Sequence, residues 1–87
     1  YFTYADRQSF IREFSNIQQR DDETVIYFVA RFLRLAAFAG PLAGTEADQI
    51  EKFRWALLYK YRVALRGHQF TELSRLVSVV REVEIDQ

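Results

Sequence analysis

Apolar residues recur at helical spacing along most of the chain, and the strongest instance covers residues 24–39. There Val25, Phe28, Val29, Phe32, Leu35, Ala36 and Ala39 stand at i, i+3, i+4, i+7, i+10, i+11 and i+14, a single face of a helix with about 3.6 residues per turn. Asp21, Asp22 and Glu23 lie at its amino end, where carboxylates complement the dipole and are expected to cap free N–H groups. Gly40-Pro41 stops it. An earlier helix is predicted over residues 5–15, with Phe10, Ile11 and Phe14 inward and Arg7, Arg12 and Glu13 outward. Between the two, Asn16 to Asp22 is polar except for Ile17 and breaks the period.

Further along, Thr45-Glu46-Ala47-Asp48 reads as a capping box with Asp where Glu or Gln is usual. The helix it opens carries Ile50, Phe53 and Leu57 inward and must turn near residues 58–61, where no residue marks the break clearly. A short helix is expected over 60–66, ended by Gly67. Thr71 is the expected cap of the last helix, whose seam is Leu73, Leu76, Val77, Val80 and Glu84 with Val83 beside it. The pattern predicts an all-α fold, a compact bundle of four to five helices. No repeat or linker divides the chain, so residues 1–87 read as one domain.

Composition agrees with helices. Apolar residues make up 49% and aromatics 16%, while three Gly and one Pro are too few for an all-β chain. Twelve Lys and Arg balance twelve Asp and Glu, which argues against a stand-alone nucleic-acid binder. With no Cys and one His (His68, beside Gly67), neither a disulfide framework nor a thiolate or His-rich metal site can be built. Asp21-Asp22-Glu23 lacks the spaced oxygens of a calcium loop. There is no Gly-rich phosphate loop, nucleophile elbow or aspartic-protease triplet. No catalytic site, cofactor, metal or small-molecule substrate is therefore expected. No apolar run is judged to approach the ~20 residues of a membrane span, and Tyr1-Phe2-Thr3-Tyr4 lacks a signal-peptide layout. A chain that starts at Tyr and holds no Met reads as a piece of a larger intracellular protein.

The most specific pattern is Gln19-x3-Glu23-x7-Arg31 followed directly by Phe32, with Ile17 two before the Gln and Phe28-Val29 before the Arg. This resembles the major homology region of retroviral and retrotransposon capsid proteins. Arg31-Phe32-Leu33-Arg34-Leu35-Ala36, Lys52-Phe53-Arg54-Trp55-Ala56-Leu57 and Thr71-Glu72-Leu73 through Glu82-Val83-Glu84 are similar to successive segments of Gag proteins from gypsy-class LTR retrotransposons. Phe10 to Gln19 resembles their entry segment, so the likeness spans residues 7–85. It implies a Gag capsid domain of the C-terminal type, from a retrotransposon or from a host protein domesticated from one. Such a domain is a structural module of a larger polyprotein that dimerises or oligomerises into a cytoplasmic virus-like particle. Its partners are copies of itself and other Gag domains, with RNA left to neighbouring segments and no membrane.

The resemblance also implies that Gln19, Glu23, Arg31 and Phe32 are scaffold residues of a buried network. Arg31 lies about 12 Å along the axis from Glu23 if both are helical, too far for an easy pair. A loop over 18–22 that folds back, with side chains leaning toward the amino end, would let Gln19 bond Arg31 and nearby backbone groups and leave Glu23 to meet free amides and one Arg hydrogen. Two residues depart from the family pattern. Arg20 stands where Gly is frequent, so the turn is built differently or Arg20 takes a positive φ. Ala56 also replaces a Gly, which favours a continuous helix.

With Ile50, Phe53 and Leu57 inward, Trp55 and Leu58 fall on another side, near Glu51 and Arg62. Trp55 either packs on the first or last helix or forms an exposed patch that pairs with a second copy. In the capsid family this helix commonly carries the dimer contact, which as a two-fold would bury the same patch from both chains. An alternative function is a domesticated adaptor that holds a partner peptide in a groove between the first helix and the rest. Lys52, Arg54, Lys60, Arg62 and Arg66, with no acid after Glu51, read as a solvated basic face or as a contact for RNA or a neighbouring acidic patch.

Overall fold

The computed structural model describes residues 4–86, with side chains from residue 8 onward. Arg7, assigned above to the outer face, lies outside the described side chains. Five α-helices follow in order: α1 (Tyr4–Ser15), α2 (Val25–Ala39), α3 (Glu46–Ala56), α4 (Tyr59–Ala64) and α5 (Leu73–Ile85), with a 3-10 turn over Gly40–Ala43. The fold is an all-α bundle. Helix α1 lies along α2, and α5 packs against α2, α3 and α4.

Aromatic rings form the centre. Phe28, Phe32 and Phe53 are fully buried. The Phe32 and Phe53 rings meet edge to face at 5.2 Å, and Phe14 of α1 reaches Phe32 at 5.3 Å. These offset and T-shaped arrangements are favoured by the ring quadrupole. Leu35, Leu65, Leu76, Val25 and Val80 complete the buried core. Ile50, Phe53 and Leu57 point inward as their spacing predicts.

Helix α2 also has an apolar outer side. Ile26, Ala30, Leu33 and Ala37 are all exposed. This double-sided character gives Val25–Ala43 a mean hydropathy of 1.5 over 18 residues, long and apolar enough by composition to span a bilayer. That corrects the expectation that no run comes close. The inner face, however, is occupied by the aromatic core, and Arg31 and Arg34 interrupt the segment.

The helix starts differ from the sequence expectation. Thr24, not the acidic run at residues 21–23, caps α2, its hydroxyl accepting from the Tyr27 N–H at 3.3 Å. The Val25 N–H donates to Glu84 Oε2 in the last turn of α5 at 2.8 Å. Thr71 does not cap α5 either. Glu72 stands at that position without a side-chain bond, and the Leu73 N–H donates to Glu46 Oε2 in the first turn of α3 at 3.2 Å. Orphan amides at helix starts need an acceptor. Here two of them find it on a different helix, so local sequence could not show the partner. The Thr45–Asp48 capping box, by contrast, forms as expected.

Gly44 precedes that box at φ +86, and a Cβ there would stand 2.8 Å from Asp48 Cβ. Gly40 also has positive φ (+57), but a Cβ there meets nothing within 4 Å. Gly44→Ala is expected to destabilise by about 2–3 kcal/mol, through backbone strain plus the clash with the box. Gly40→Ala should cost only the backbone strain, about 1–2 kcal/mol. Urea unfolding of both variants measures the difference, and equal losses would show that the Asp48 contact is relieved at no cost.

Candidate functional site

The loop from Asn16 to Thr24 folds back over the first turns of α2, as the reach to Arg31 requires. Because Glu23 precedes the helix, it is not held to helical rise and meets Arg31 directly. Arg31 Nε donates to Glu23 Oε2 at 2.9 Å and a terminal nitrogen donates to Glu23 Oε1 at 2.8 Å. The same terminal nitrogen donates to the Gln18 carbonyl at 2.6 Å, and Glu13 stands 3.8 Å from the guanidinium. A bidentate carboxylate–guanidinium pair of this kind is both strong and directional. The Arg20 N–H also donates to Glu23 Oε1, at 3.1 Å. Arg20 therefore needs no positive φ, and no described non-glycine residue has one.

Gln19 is not bonded to Arg31. Its side chain turns to backbone instead, donating to the Glu23 carbonyl at 2.9 Å and accepting from the Leu58 N–H at 3.1 Å. Its own N–H donates to the Ala56 carbonyl at 2.7 Å. Among the described residues Gln19 is the one buried amide or charged side chain, 6% exposed, and these bonds satisfy it. The pair of bonds to Ala56 and Leu58 replaces the helical partners at that point, so α3 ends at Ala56 and Leu57 is extended (ψ 155). The continuous helix expected from Ala56 is thereby corrected. Phe32, the fourth residue of the motif, lies in the aromatic core next to this network.

The Arg31 bond, working against the cost of burial and helped by the Arg20 amide and charge, holds the Glu23 carboxyl below its usual range. Glu23 in turn holds Arg31 charged. On the far side of α4, burial raises the Tyr61 hydroxyl, with the charge of Glu84 and a 3.3 Å bond to it adding to the effect.

A different surface forms where α3 meets α4. Trp55 is 68% exposed, so it does not pack on α1 or α5. Tyr59 is 63% exposed, and the Arg62 guanidinium lies over both rings, 5.8 Å from the Trp55 centre and 5.6 Å from that of Tyr59. Arg66 donates to the Tyr59 hydroxyl at 3.4 Å. Arg54 is anchored through the His68 carbonyl at 2.8 Å. These residues and Leu65 line a cleft of about 180 Å³. Leu58, grouped with Trp55 by spacing, is half-buried against the core, and Glu51 is exposed nearby. Ion pairs among the described residues all involve Arg31, so Arg54, Arg62 and Arg66 face no carboxylate at that distance. The basic stretch is thus partly tied to carbonyls and rings rather than freely solvated. Beside α1, where a peptide groove would have to lie, Phe10 stacks on Phe38 at 4.6 Å and Phe14 fills the core.

The described residues contain no group of His, Cys, Asp or Glu placed to hold a metal. Neither family models, curated proteins nor solved structures give a match to this chain.

Glu23→Ala and Arg31→Ala each remove the bidentate partner of a half-buried charge, leaving Arg31 the Gln18 carbonyl and Glu23 the Arg20 amide, with an expected loss of about 1.5–3 kcal/mol. Chemical denaturation measures it, and an unchanged midpoint in both would show that the pair contributes nothing. Acid should act through the same carboxylate. The unfolded chain takes up a proton near the ordinary value of 4.5, whereas folded Glu23 resists until lower pH. Its stabilisation is complete above 4.5 and is lost as pH falls through the depressed folded value. Stability measured from neutral to acid pH should therefore fall less steeply in Glu23→Gln than in the unmodified chain.

Proposed function

We propose that this chain is a self-assembly domain of the Gag capsid C-terminal type, whose copies associate through the Trp55 face to build a virus-like particle shell. One observation carries the reading. The residues that resemble the major homology region are engaged with each other and with backbone, which leaves them a scaffold role and leaves Trp55 outside on the neighbouring helix. A large exposed aromatic beside Tyr59 has the character of an interface anchor. A scaffold of this kind needs no catalytic group, and RNA contact then belongs to other segments of a polyprotein. The adaptor reading calls for a groove at α1, where the phenylalanines are taken up by packing.

Sedimentation velocity from micromolar to millimolar concentration tests the proposal. A concentration-dependent rise in mass is expected, and Trp55→Ala should weaken association about tenfold or more. Its melting temperature should stay close to that of the unmodified chain, because the ring is largely outside the core. A strict monomer at every concentration overturns the self-association reading and turns attention to the adaptor.

A further inference from the structure

The exposed face of α3–α4 has an electrostatic property that a two-fold contact does not accommodate. Arg54, Arg62 and Arg66 line the cleft with Trp55, Tyr59 and the buried Leu65, and among the described residues no carboxylate stands at ion-pair distance from them. Arg62 Nε is buried there and has no hydrogen-bond partner. An isologous interface would set this cationic surface against its own copy, bringing like charges together.

The complementary surface is on the same chain. In the last turn of α5, Glu82, Ile85 and Asp86 stand at i, i+3 and i+4, on one helix face, and all are exposed. Ile85 is 76% exposed, the most of any large apolar residue described. That turn holds no cation, and Arg81 immediately precedes it. Glu84 is already committed to the Val25 N–H and the Tyr61 hydroxyl.

The two surfaces are not joined within one molecule. Among the described residues no ion pair links Glu82 or Asp86 to Arg54, Arg62 or Arg66; Arg54 bonds the His68 carbonyl and Arg66 the Tyr59 hydroxyl. The acidic turn and the basic cleft are therefore each left without their opposite charge in their own chain.

Resting on the self-association reading, we propose that the occupant of the Trp55–Arg62 cleft is the last turn of α5 from a second copy. Ile85 enters the cleft against Leu65, beside the rings that Arg62 covers, while Glu82 and Asp86 meet Arg62 and Arg66. A cavity of about 150 Å³ holds a benzene-sized group, so a cleft of this volume takes one aliphatic side chain. The contact is heterologous, head to tail, and each copy keeps one free surface of each kind. Repetition then gives a ring or an extended array rather than a closed dimer.

Charge reversal separates this from a two-fold contact. Glu82→Arg/Asp86→Arg changes only exposed positions away from the cleft, and Arg62→Glu/Arg66→Glu changes the cleft itself. Each variant alone should associate about tenfold or more weakly than the unmodified chain. An equimolar mixture should regain association, and added salt should weaken the unmodified contact, since exposed charges are screened. Circular dichroism melting verifies that each variant folds, and Ile85→Ser provides an uncharged second probe of the same turn. If the Glu82→Arg/Asp86→Arg chain associates like the unmodified one, the head-to-tail contact is wrong while self-association stands. The head-to-tail contact is equally wrong if only the cleft variant loses association, since the occupant is then something other than α5. If the unmodified chain never associates, the self-association reading falls as well.

Discussion

The geometry of the bundle depends on the buried amide of Gln19 and the carboxylate four residues later. Gln19 reaches from the α1–α2 loop to Ala56 and Leu58 and supplies, from outside, the hydrogen-bond partners that a continuing helix would have supplied from within. A chain with Ala at 56 and no Gly or Pro nearby has no local reason to stop there. Once Gln19 satisfies those groups, the backbone turns at Leu57 without leaving a buried orphan, which would cost about 1–3 kcal/mol. The angle between α3 and α4 follows from that turn, and with it the placing of Trp55 next to Tyr59 and Arg62.

Glu23 and Arg31 hold the loop that carries Gln19. Their bidentate pair, with the Gln18 carbonyl and the Arg20 amide attached, clamps both flanks of Gln19. The three polar residues thus form one device: a clamp that positions an arm, and an arm that ends a helix. Two carboxylates extend the same logic to helix starts, Glu84 at α2 and Glu46 at α5. Polar groups in this small core connect elements that its apolar surface, a single cluster of rings and aliphatic chains, would hold in less defined relation.

This arrangement bears on function by elimination and by exposure. The polar residues with the most distinctive spacing spend most of their hydrogen-bonding capacity on each other and on backbone. The cations of the α3–α4 face are the opposite case, held in place by carbonyls and rings while their charge stays unopposed. A cationic surface held against exposed rings is suited to recognition, because little ordering remains to be done when a partner arrives. Its acidic counterpart at the end of α5 is equally ordered, being fastened through Glu84 to two other helices.

What the residues alone determined were features with short-range causes. Periodicity placed α1, α2, α3 and α5, and the Thr45–Asp48 box formed because both of its partners are local. The inward set of Phe28, Phe32, Ile50, Phe53, Leu57, Leu76 and Val80 was legible for the same reason. Tertiary structure decided whatever needed a partner far along the chain. Gln19 reached the α3–α4 junction rather than Arg31, α3 stopped at Ala56, and the first amides of α2 and α5 found Glu84 and Glu46 rather than the expected Asp21–Glu23 and Thr71. Exposure of Trp55 was likewise undecided by spacing, since a helix face away from the core is buried only if another element covers it. Periodicity reports which side of a helix is apolar, but an unsatisfied amide accepts any acceptor the fold brings near it, and the folded chain makes that choice.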